Sequence, residues 1–169
     1  VKGLSEAQAL PGRFEVIDSQ NNGPTVIIDY SHTPDGLRKV LLSAQNILGV
    51  KNVHVVFGCG GDRDKSKRSQ MGAASENAAT DVYLTSDNPR SEDELSIIND
   101  VLAGFRNPAD VYVEPDRRKA IFQAIKMSDP KDVVIIAGKG NEESQEIKGQ
   151  FHPFKDSDVA RDGLEARAT

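Results

Sequence analysis

The stretch Asp81-Val82-Tyr83-Leu84-Thr85-Ser86-Asp87-Asn88-Pro89-Arg90 joins a run of strand-forming residues to a charged corner. Its first half is apolar and ends in polar turn residues, which predicts a β-strand. Pro89 fixes its own φ and biases Asn88 toward an extended backbone, so the corner is stiff. Arg90 can offer a planar fork to a carboxylate, and Asp87 can accept from an ammonium. This pattern suits a ligand that carries both charges, an amino acid, and a plain surface turn is the alternative.

Other runs along the chain have a similar strand-like composition, and helical patterns separate most of them. The candidate strands are Phe14–Asp18, Thr25–Tyr30, Asn52–Phe57, Asp81–Thr85, Asp110–Glu114 and Asp132–Ala137. Strands that alternate with helices need crossover connections, and such connections place helices on both faces of a sheet. The order of elements therefore predicts a single α/β domain with a Rossmann-like, mostly parallel sheet.

The intervening segments carry apolar residues at helical spacing. The predicted stripes are Leu37, Val40, Leu41, Ala44, Ile47 and Leu48, then Leu95, Ile98, Leu102 and Phe105, then Ala120, Ile121, Ala124 and Ile125. Pro34 fits the first turn of the first helix. Ser91 with Glu94 predicts a capping box for the second. Weaker patterns predict helices over Met71–Ala79 and from about Asp158 to Ala168.

Length and composition exclude several classes of protein. With 169 residues, a net charge of −5 and a pI near 5.2, the chain is one ordinary domain without the charge expected for a nucleic-acid or acidic-membrane partner. Apolar runs such as Val133–Ala137 are too short to cross a bilayer, and no signal-peptide pattern opens the chain. The single cysteine, Cys59, fits a reducing compartment, so we predict a cytoplasmic protein. The first residue is Val1 rather than Met, which suggests a piece of a longer protein.

The loops that follow the predicted strands differ from those that precede them. They read Asp29-Tyr30-Ser31-His32, Gly58-Cys59-Gly60-Gly61-Asp62-Arg63, Asp87-Asn88-Pro89-Arg90 and Gly138-Lys139-Gly140-Asn141-Glu142. Each contains glycine or paired charge, whereas the loops at the opposite edge contain ordinary turn residues. Ligands of open α/β sheets bind beyond the carboxyl ends of the strands. The asymmetry therefore predicts a binding site at that edge.

These loops contain binding groups but lack familiar catalytic patterns. The chain has no GxxxxGK[ST] phosphate loop, no His/Cys metal cluster and no readable Ser/His/Asp set. Arg63 and Arg90 could bind the carboxylate of a zwitterion, with Asp87 and Glu142 binding its ammonium. A salt-bridge network satisfied within the protein is the alternative.

Two further residues suggest contacts to a nucleotide. Asp29 ends a predicted strand and could accept hydrogen bonds from ribose hydroxyls, and Arg13 could contact a phosphate. For each of these residues alone, a structural role is the favoured interpretation.

Five motifs occur in an order that matches one family. They are Pro11-Gly12-Arg13-Phe14-Glu15, Asp29-Tyr30-Ser31-His32-Thr33-Pro34-Asp35, Phe57-Gly58-Cys59-Gly60-Gly61-Asp62-Arg63-Asp64-Lys65, Asp87-Asn88-Pro89-Arg90 and Ala137-Gly138-Lys139-Gly140-x-Glu142. Together they resemble the C-terminal domain of the Mur ligases, of the MurE type that adds the third residue of the peptidoglycan stem peptide. The resemblance covers nearly the whole chain. The D-N-P-R run is its most discriminating part, because in this family it marks enzymes that use meso-diaminopimelate rather than lysine.

The resemblance implies roles for residues of this chain. The substrate-binding residues would be Arg63, Asp87, Asn88, Pro89, Arg90, Gly138 and Glu142, and the nucleotide contacts Arg13, Asp29, Tyr30 and His32. Catalytic residues and metal ligands are not expected in this chain. Residues 1–12 would be a leader or linker from a preceding domain, and residues 13–169 the Mur ligase C-terminal domain.

The resemblance also implies a reaction for the full-length enzyme, with ATP and Mg²⁺ as cofactors. A phosphoryl group passes from ATP to the γ-carboxylate of UDP-MurNAc-L-Ala-D-Glu, and the amine of meso-diaminopimelate then displaces phosphate. The phosphate loop and magnesium ligands of such enzymes lie in a central domain, and an N-terminal domain holds the UDP part. This chain would bind the amino acid and part of the ATP, without ligase or ATPase activity alone.

One residue departs from the family pattern, and alternatives to the leading interpretation remain. The last loop usually reads G-K-G-H-E, whereas Asn141 stands here at the histidine position. A related amide ligase with another acceptor, of the lysine-adding or folylpolyglutamate type, is one alternative, although Arg90 argues against lysine. A noncatalytic binding module of the same fold is another.

Overall fold

The computed structural model describes residues 10–17, 23–50 and 52–167, without the side chains of residues 47 and 48. The strands are β1 Glu15–Ile17, β2 Thr25–Asp29, β3 Val53–Phe57, β4 Asp81–Leu84, β5 Tyr112–Val113, β6 Val133–Ala137, β7 Ser144–Ile147 and β8 Gln150–Pro153. The helices are α1 Pro34–Leu48, α2 Ser66–Glu76, α3 Glu94–Leu102, α4 Arg117–Met127 and α5 Asp156–Arg167. No helix within these ranges is long and apolar enough to span a membrane.

Six strands form one sheet in the order β1-β2-β6-β3-β4-β5, and β7 pairs with β8 in a separate hairpin. Strand β1 runs antiparallel to β2, and the other pairs in the large sheet are parallel. The predicted Rossmann-like α/β domain is confirmed. Because β6 inserts between β2 and β3, the loops after β2, β6, β3 and β4 follow neighbouring strands at one edge.

The two faces of the sheet carry separate cores. Ile27 of β2 packs with the α1 residues Leu37 and Leu41 in a cluster that also includes residues of α2 and α3. Its neighbour Ile28 belongs to the opposite cluster, with Ile121 of α4 and residues of α5. Consecutive strand residues point to opposite faces, and helices cover both, which explains why β6 is apolar throughout and why β2 and β3 are mostly apolar.

The predicted helical stripes are partly right. Leu37, Val40, Leu41 and Ala44 are buried, as are Ala120, Ile121, Ala124 and Ile125, whereas the side chains at positions 47 and 48 lie outside the description. In the stripe predicted for α3, Ile98 and Phe105 are buried and Leu102 packs against the core, whereas Leu95 is wrong because it is 52% exposed. Ile97 and Val101 are buried as well.

The predicted capping box at Ser91 is also wrong. The N-cap of α3 is Asp93, whose carboxylate accepts from the Ser96 amide at 2.9 Å. The Ser91 hydroxyl instead donates to Asp62 at 2.7 Å, across to the loop after β3. The Ser91 side chain therefore forms a long-range hydrogen bond instead of the helix cap that the local pattern predicted.

Several boundaries differ from the sequence prediction, and one motif was missed. Helix α2 begins at Ser66 rather than at Met71, and the strand expected over Asp110–Glu114 shortens to β5 because residues 108–110 form a 3₁₀ turn. The hairpin of β7 and β8 was not predicted at all. Most of the predicted leader, residues 1–9, lies outside the described residues, as does residue 18 of the first predicted strand.

Candidate functional site

A cleft of about 350 Å³ opens at the carboxyl edge of the sheet, bounded by the loops after β2, β3, β4 and β6 and by α2. Eight of the eleven residues singled out from the sequence line it: Tyr30, His32, Arg63, Asp87, Asn88, Arg90, Gly138 and Glu142. Pro89, Arg13 and Asp29 do not. A larger groove of about 530 Å³, between α4, α5 and β5, contains none of the predicted residues and lies away from these loops.

Glycines allow the loops after β3 and β4 to pack backbone against backbone. A Cβ on Gly58 would lie 2.4 Å from the Thr85 carbonyl oxygen, and one on Gly61 would lie 1.9 Å from that of Pro89. Only glycine fits such approaches. Pro89 therefore faces the β3 loop instead of the cleft, and it supports the corner without lining the site.

Arg90 is held in place by its backbone and by its side chain. Its φ of +53° is unusual for a residue with a Cβ. The strand β7 offsets this strain: the Arg90 amide donates to the Glu146 carbonyl at 3.0 Å, and its carbonyl accepts from the Lys148 amide at 2.7 Å. In the side chain, Nη1 donates to the Gly61 carbonyl at 2.8 Å and Nε lies 3.1 Å from the Glu146 carboxylate. Among the described residues Nη2 has no partner, so the guanidinium keeps donors for a ligand.

Asp87 and Asn88 are both buried at the base of the cleft. Burial raises the pKa of the Asp87 carboxyl, and the positive charges of Arg117 and Lys139 only partly oppose that shift. The Asn88 amide is almost fully engaged, because its Oδ1 accepts from Lys139 at 3.0 Å and from the Glu146 amide at 2.9 Å. Its Nδ2 donates to Glu142 at 2.9 Å. Asn88 therefore acts mainly as a junction between loops.

Glu142 presents one carboxylate oxygen to the cleft. Its Oε2 accepts from Lys139 at 2.8 Å and from Asn88, whereas Oε1 has no partner among the described residues. Partial burial alone would raise the pKa of this carboxyl, but the hydrogen bonds from Lys139 and Asn88 outweigh it and hold the pKa below the ordinary 4.5. Glu142 is therefore an ionised acceptor suited to an ammonium group.

Arg63 supplies a second guanidinium to the same cleft. It is exposed, its Nη1 donates to the Asp62 carbonyl at 3.2 Å, and it forms no ion pair with an acid in the described part of the chain. The nearby Arg68 has the opposite character: it is buried, and it donates to Glu92 at 2.8 and 3.0 Å and to the Gly60 carbonyl at 3.3 Å. Arg68 fixes the loop from which Arg63 projects.

The residues expected at a nucleotide lie together, with Tyr30 and His32 in the wall of the cleft and Arg13 and Asp29 beside it. The Arg13 guanidinium carbon lies 5.3 Å from the centroid of the Tyr30 ring, which in turn contacts the His32 ring edge-on at 4.8 Å. The Asp29 carboxylate accepts from the Phe14 amide at 2.9 Å and from the Ser31 amide at 2.8 Å and hydroxyl. An exposed cation over an aromatic ring fits one edge of a nucleotide. Asp29 mainly orders the turn, and these groups form no enclosing phosphate loop.

Beneath the loops lies a fully buried ion pair that the sequence did not indicate. Arg117 of α4 contacts Asp156 of α5 through Nε at 2.8 Å and Nη2 at 2.7 Å. The same guanidinium donates to the Ala137 carbonyl at 3.0 Å and the Ser86 carbonyl at 3.4 Å, at the ends of β6 and β4. The pair thus fixes the strand ends from which two loops of the cleft begin.

The sequence also failed to indicate that β7 supports the site. Gln145 donates to the Asp87 carbonyl at 2.6 Å, and Glu146 contacts both Asn88 and Arg90. The one signal in the sequence was Gly149, because both residues of the two-residue turn between β7 and β8, Lys148 and Gly149, have positive φ and glycine adopts it readily. As for metals, the described residues include no cluster of three His, Cys, Asp or Glu side chains that could hold an ion.

Comparison with known proteins agrees with this geometry. Residues 12–140 match the family described as the Mur ligase, glutamate ligase domain. A protein of Coxiella burnetii named UDP-N-acetylmuramoyl-L-alanyl-D-glutamate–2,6-diaminopimelate ligase is 47% identical over 161 residues, which make up 95% of this chain and 32% of that protein. The chain thus spans about a third of the length of the curated relatives it matches.

Solved structures give the same result. A ligase with that name superimposes with a TM-score of 0.86 at 39% identity, covering 98% of this chain and 34% of its own. A bifunctional folylpolyglutamate synthase/dihydrofolate synthase, solved with Mn, AMPPNP and L-glutamate bound, has a TM-score of 0.59 at 25% identity over 78% of this chain and 29% of its own. This chain belongs to the Mur ligase glutamate ligase domain family.

Proposed function

We propose that this chain is the amino-acid-binding domain of a ligase that joins meso-diaminopimelate to UDP-MurNAc-L-Ala-D-Glu at the expense of ATP. One observation carries the proposal: Arg63 and Arg90 line the same cleft as Asp87 and Glu142. Two cations and two acids around one cleft complement the distal end of meso-diaminopimelate, which carries both a carboxylate and an ammonium. The name of the relatives supports the same substrate.

Arg90 gives the proposed selectivity a physical basis. Lysine lacks the distal carboxylate of meso-diaminopimelate, so binding lysine would desolvate the Nη2 group of Arg90 without giving it an acceptor, while Nε stays beside Glu146 and Nη1 on the Gly61 carbonyl. Leaving such a group unpaired costs on the order of 2–5 kcal/mol. At about 1.4 kcal/mol per tenfold, that penalty corresponds to a preference of roughly 30-fold to a few thousand-fold. Selectivity of this size needs no editing step.

The role of the domain is to bind and orient. Glu142 and Asp87 would accept from the distal ammonium, which leaves the other amine of the ligand directed out of the cleft toward the acyl donor. Tyr30 and His32, which line the cleft, and Arg13, beside it, would contact part of the ATP, whose γ-phosphoryl group supplies the activation. ATP and Mg²⁺ would be held mainly by parts of the full-length ligase outside this chain, so we expect neither ligase nor ATPase activity from the chain alone. The proposed location is the cytoplasm.

A substitution at Arg90 in the full-length ligase tests the proposal. In Arg90→Met, kcat/KM for meso-diaminopimelate should fall about 30-fold or more, while the low value for L-lysine should stay the same or rise. Arg106→Met is the matched control, because Arg106 is exposed and pairs with Glu76 away from the cleft.

The ratio of the two kcat/KM values is the decisive readout. Equal use of the two amino acids by the unmodified enzyme, or an unchanged ratio in Arg90→Met, would refute the proposed selectivity. No turnover of either amino acid by the full-length protein would favour the noncatalytic binding module.

A further inference from the structure

Lys139 is the one lysine among the described residues whose side chain is fully buried. Removing an ammonium from water is costly unless every donor finds an acceptor. Its three acceptors are Asn88 Oδ1 at 3.0 Å, Glu142 Oε2 at 2.8 Å and the Ser144 carbonyl at 2.8 Å. The ammonium has three donors, so the set is complete and Lys139 has none left for a ligand.

The three acceptors come from different parts of the chain. Asn88 lies in the loop after β4, Glu142 in the loop after β6, and Ser144 begins β7. Lys139 reaches all three because Gly138 before it adopts a φ of +109°, and a Cβ at Gly138 would lie 2.9 Å from the Asp87 carboxylate. The buried ammonium therefore ties the loop after β4 and the loop after β6 to the start of β7 at the base of the cleft.

We propose that Lys139 is a positioning residue for amino-acid binding: it holds the Glu142 carboxylate directed into the cleft, and it fixes the orientation of the Asn88 amide. This inference rests on the function proposed above, in which Glu142 accepts from the ligand's ammonium. Lys139 does not touch the ligand itself. It acts by occupying Oε2 of Glu142, which leaves Oε1 as the oxygen available to the ligand.

A merely structural role for Lys139 predicts different behaviour. If the ammonium only tied the loop after β6 to β7, its removal would lower stability, and any loss of ligand binding would add to that caused by a change at Glu142. If Lys139 acts through Glu142, the effects on binding cannot add, because the same contact is lost only once. A double-mutant cycle separates the two roles.

The experiment uses the full-length ligase and measures KM and kcat for meso-diaminopimelate. Lys139→Met should raise KM about tenfold or more with a smaller change in kcat, and Glu142→Gln should raise KM by a similar factor. The double variant should match Glu142→Gln alone within about threefold. Lys155→Met is the control for the same chemical change, since Lys155 is partly exposed and its one ion pair within residues 10–17, 23–50 and 52–167 is with Glu143, at 3.5 Å. The KM of this control should stay unchanged.

The pH dependence of KM gives a second readout. In the unmodified enzyme the pKa of Glu142 lies below 4.5, so its contribution to binding persists until the pH falls below that value. Without Lys139, burial remains but the main opposing contact is gone, so the pKa rises and KM should begin to increase at a higher pH. If Lys139 has only a structural role, the pH at which KM begins to increase should be the same in Lys139→Met as in the unmodified enzyme.

Each outcome decides the matter. Additive effects in the cycle, or an unchanged pH limb in Lys139→Met, would overturn the role of Lys139 and leave the proposed function intact. Failure of the unmodified ligase to use meso-diaminopimelate would overturn both. If Lys139→Met does not fold, the double variant removes the whole ion pair and can still be compared with Glu142→Gln; a KM more than threefold higher would then refute the inference.

Discussion

Two arginines that are adjacent in α4 allow a direct comparison of a buried and an exposed ion pair. Arg117 contacts Asp156 of α5 at 2.7 Å, and both side chains are 0% exposed. Arg118 contacts Asp162, which also lies in α5, at 2.8 Å, and these two side chains are 51% and 50% exposed. The shortest distances match, but Arg117 is buried, contacts Asp156 through two nitrogens and also donates to two backbone carbonyls. We predict that Arg117→Met destabilises the domain far more than Arg118→Met does.

The expected size follows from what each substitution leaves behind. In Arg117→Met the Asp156 carboxylate stays buried without its partner, which costs about 3–5 kcal/mol. That is a large share of the roughly 5–15 kcal/mol of an ordinary domain. For a domain of this size, such a loss lowers the melting temperature by about 6–20 °C. In Arg118→Met water solvates the remaining carboxylate, so the loss should be about 0–1 kcal/mol, plus a small contribution from the contact of Arg118 with the Phe122 ring.

Urea denaturation followed by circular dichroism measures both losses in the 169-residue chain. A double variant, Arg117→Met with Asp156→Leu, tests whether the unpaired carboxylate causes the loss. It removes the buried, unpaired Asp156 carboxylate and should recover most of the lost stability. Equal stability of the Arg117→Met and Arg118→Met proteins would refute the reasoning. So would a double variant that is no more stable than Arg117→Met.

Two further predictions concern titratable groups beside the cleft. Hydrogen bonds from Arg68, from the Asp62 amide and from Lys65 lower the pKa of Glu92 to about 2. These hydrogen bonds therefore contribute fully to stability above the ordinary pKa of 4.5, and their contribution is lost as the pH falls toward 2. Glu92→Gln should flatten that part of the pH–stability curve, and an unchanged acid slope in urea titrations would contradict the assignment. Burial, with a smaller effect of the Asp87 charge, raises the pKa of Cys59 to about 12, so iodoacetamide at pH 8 should label it far more slowly in the folded than in the unfolded chain. Mass spectrometry gives both labelling rates, and equal rates would show that the thiol is accessible and reactive.

The main features of the fold could be predicted because they rest on local patterns. Continuous apolar runs such as Val133–Ala137 indicate strands covered on both faces, and the helices between them require parallel connections. The buried face of α3 could be obtained only in part, because the predicted stripe included the buried Ile98 but also the exposed Leu95. Leu95 and Ile97 are both apolar, and only the position of the helix against α2 decides which of them is buried.

The location of the candidate site could be predicted, but the hydrogen bonds and ion pairs that support it could not. Arg63, Arg90 and Glu142 were identified because each follows a strand in a parallel sheet, where the carboxyl ends converge. The roles of Lys139 and Glu146 were not, since each depends on a partner more than fifty residues away in the chain. Pairing over such distances leaves no periodic pattern in the sequence.

By itself the sequence determined the order of the helices and of the strands in the large sheet, the polar loops that follow those strands, and the motifs that identify the family. Tertiary structure alone decided that Asn88 and Lys139 are consumed by internal contacts, whereas Arg63, Arg90 and one oxygen of Glu142 remain available for a ligand. The physical reason is that residue type fixes which hydrogen bonds a side chain can form, but the packing of distant loops decides which of those bonds the protein itself fills.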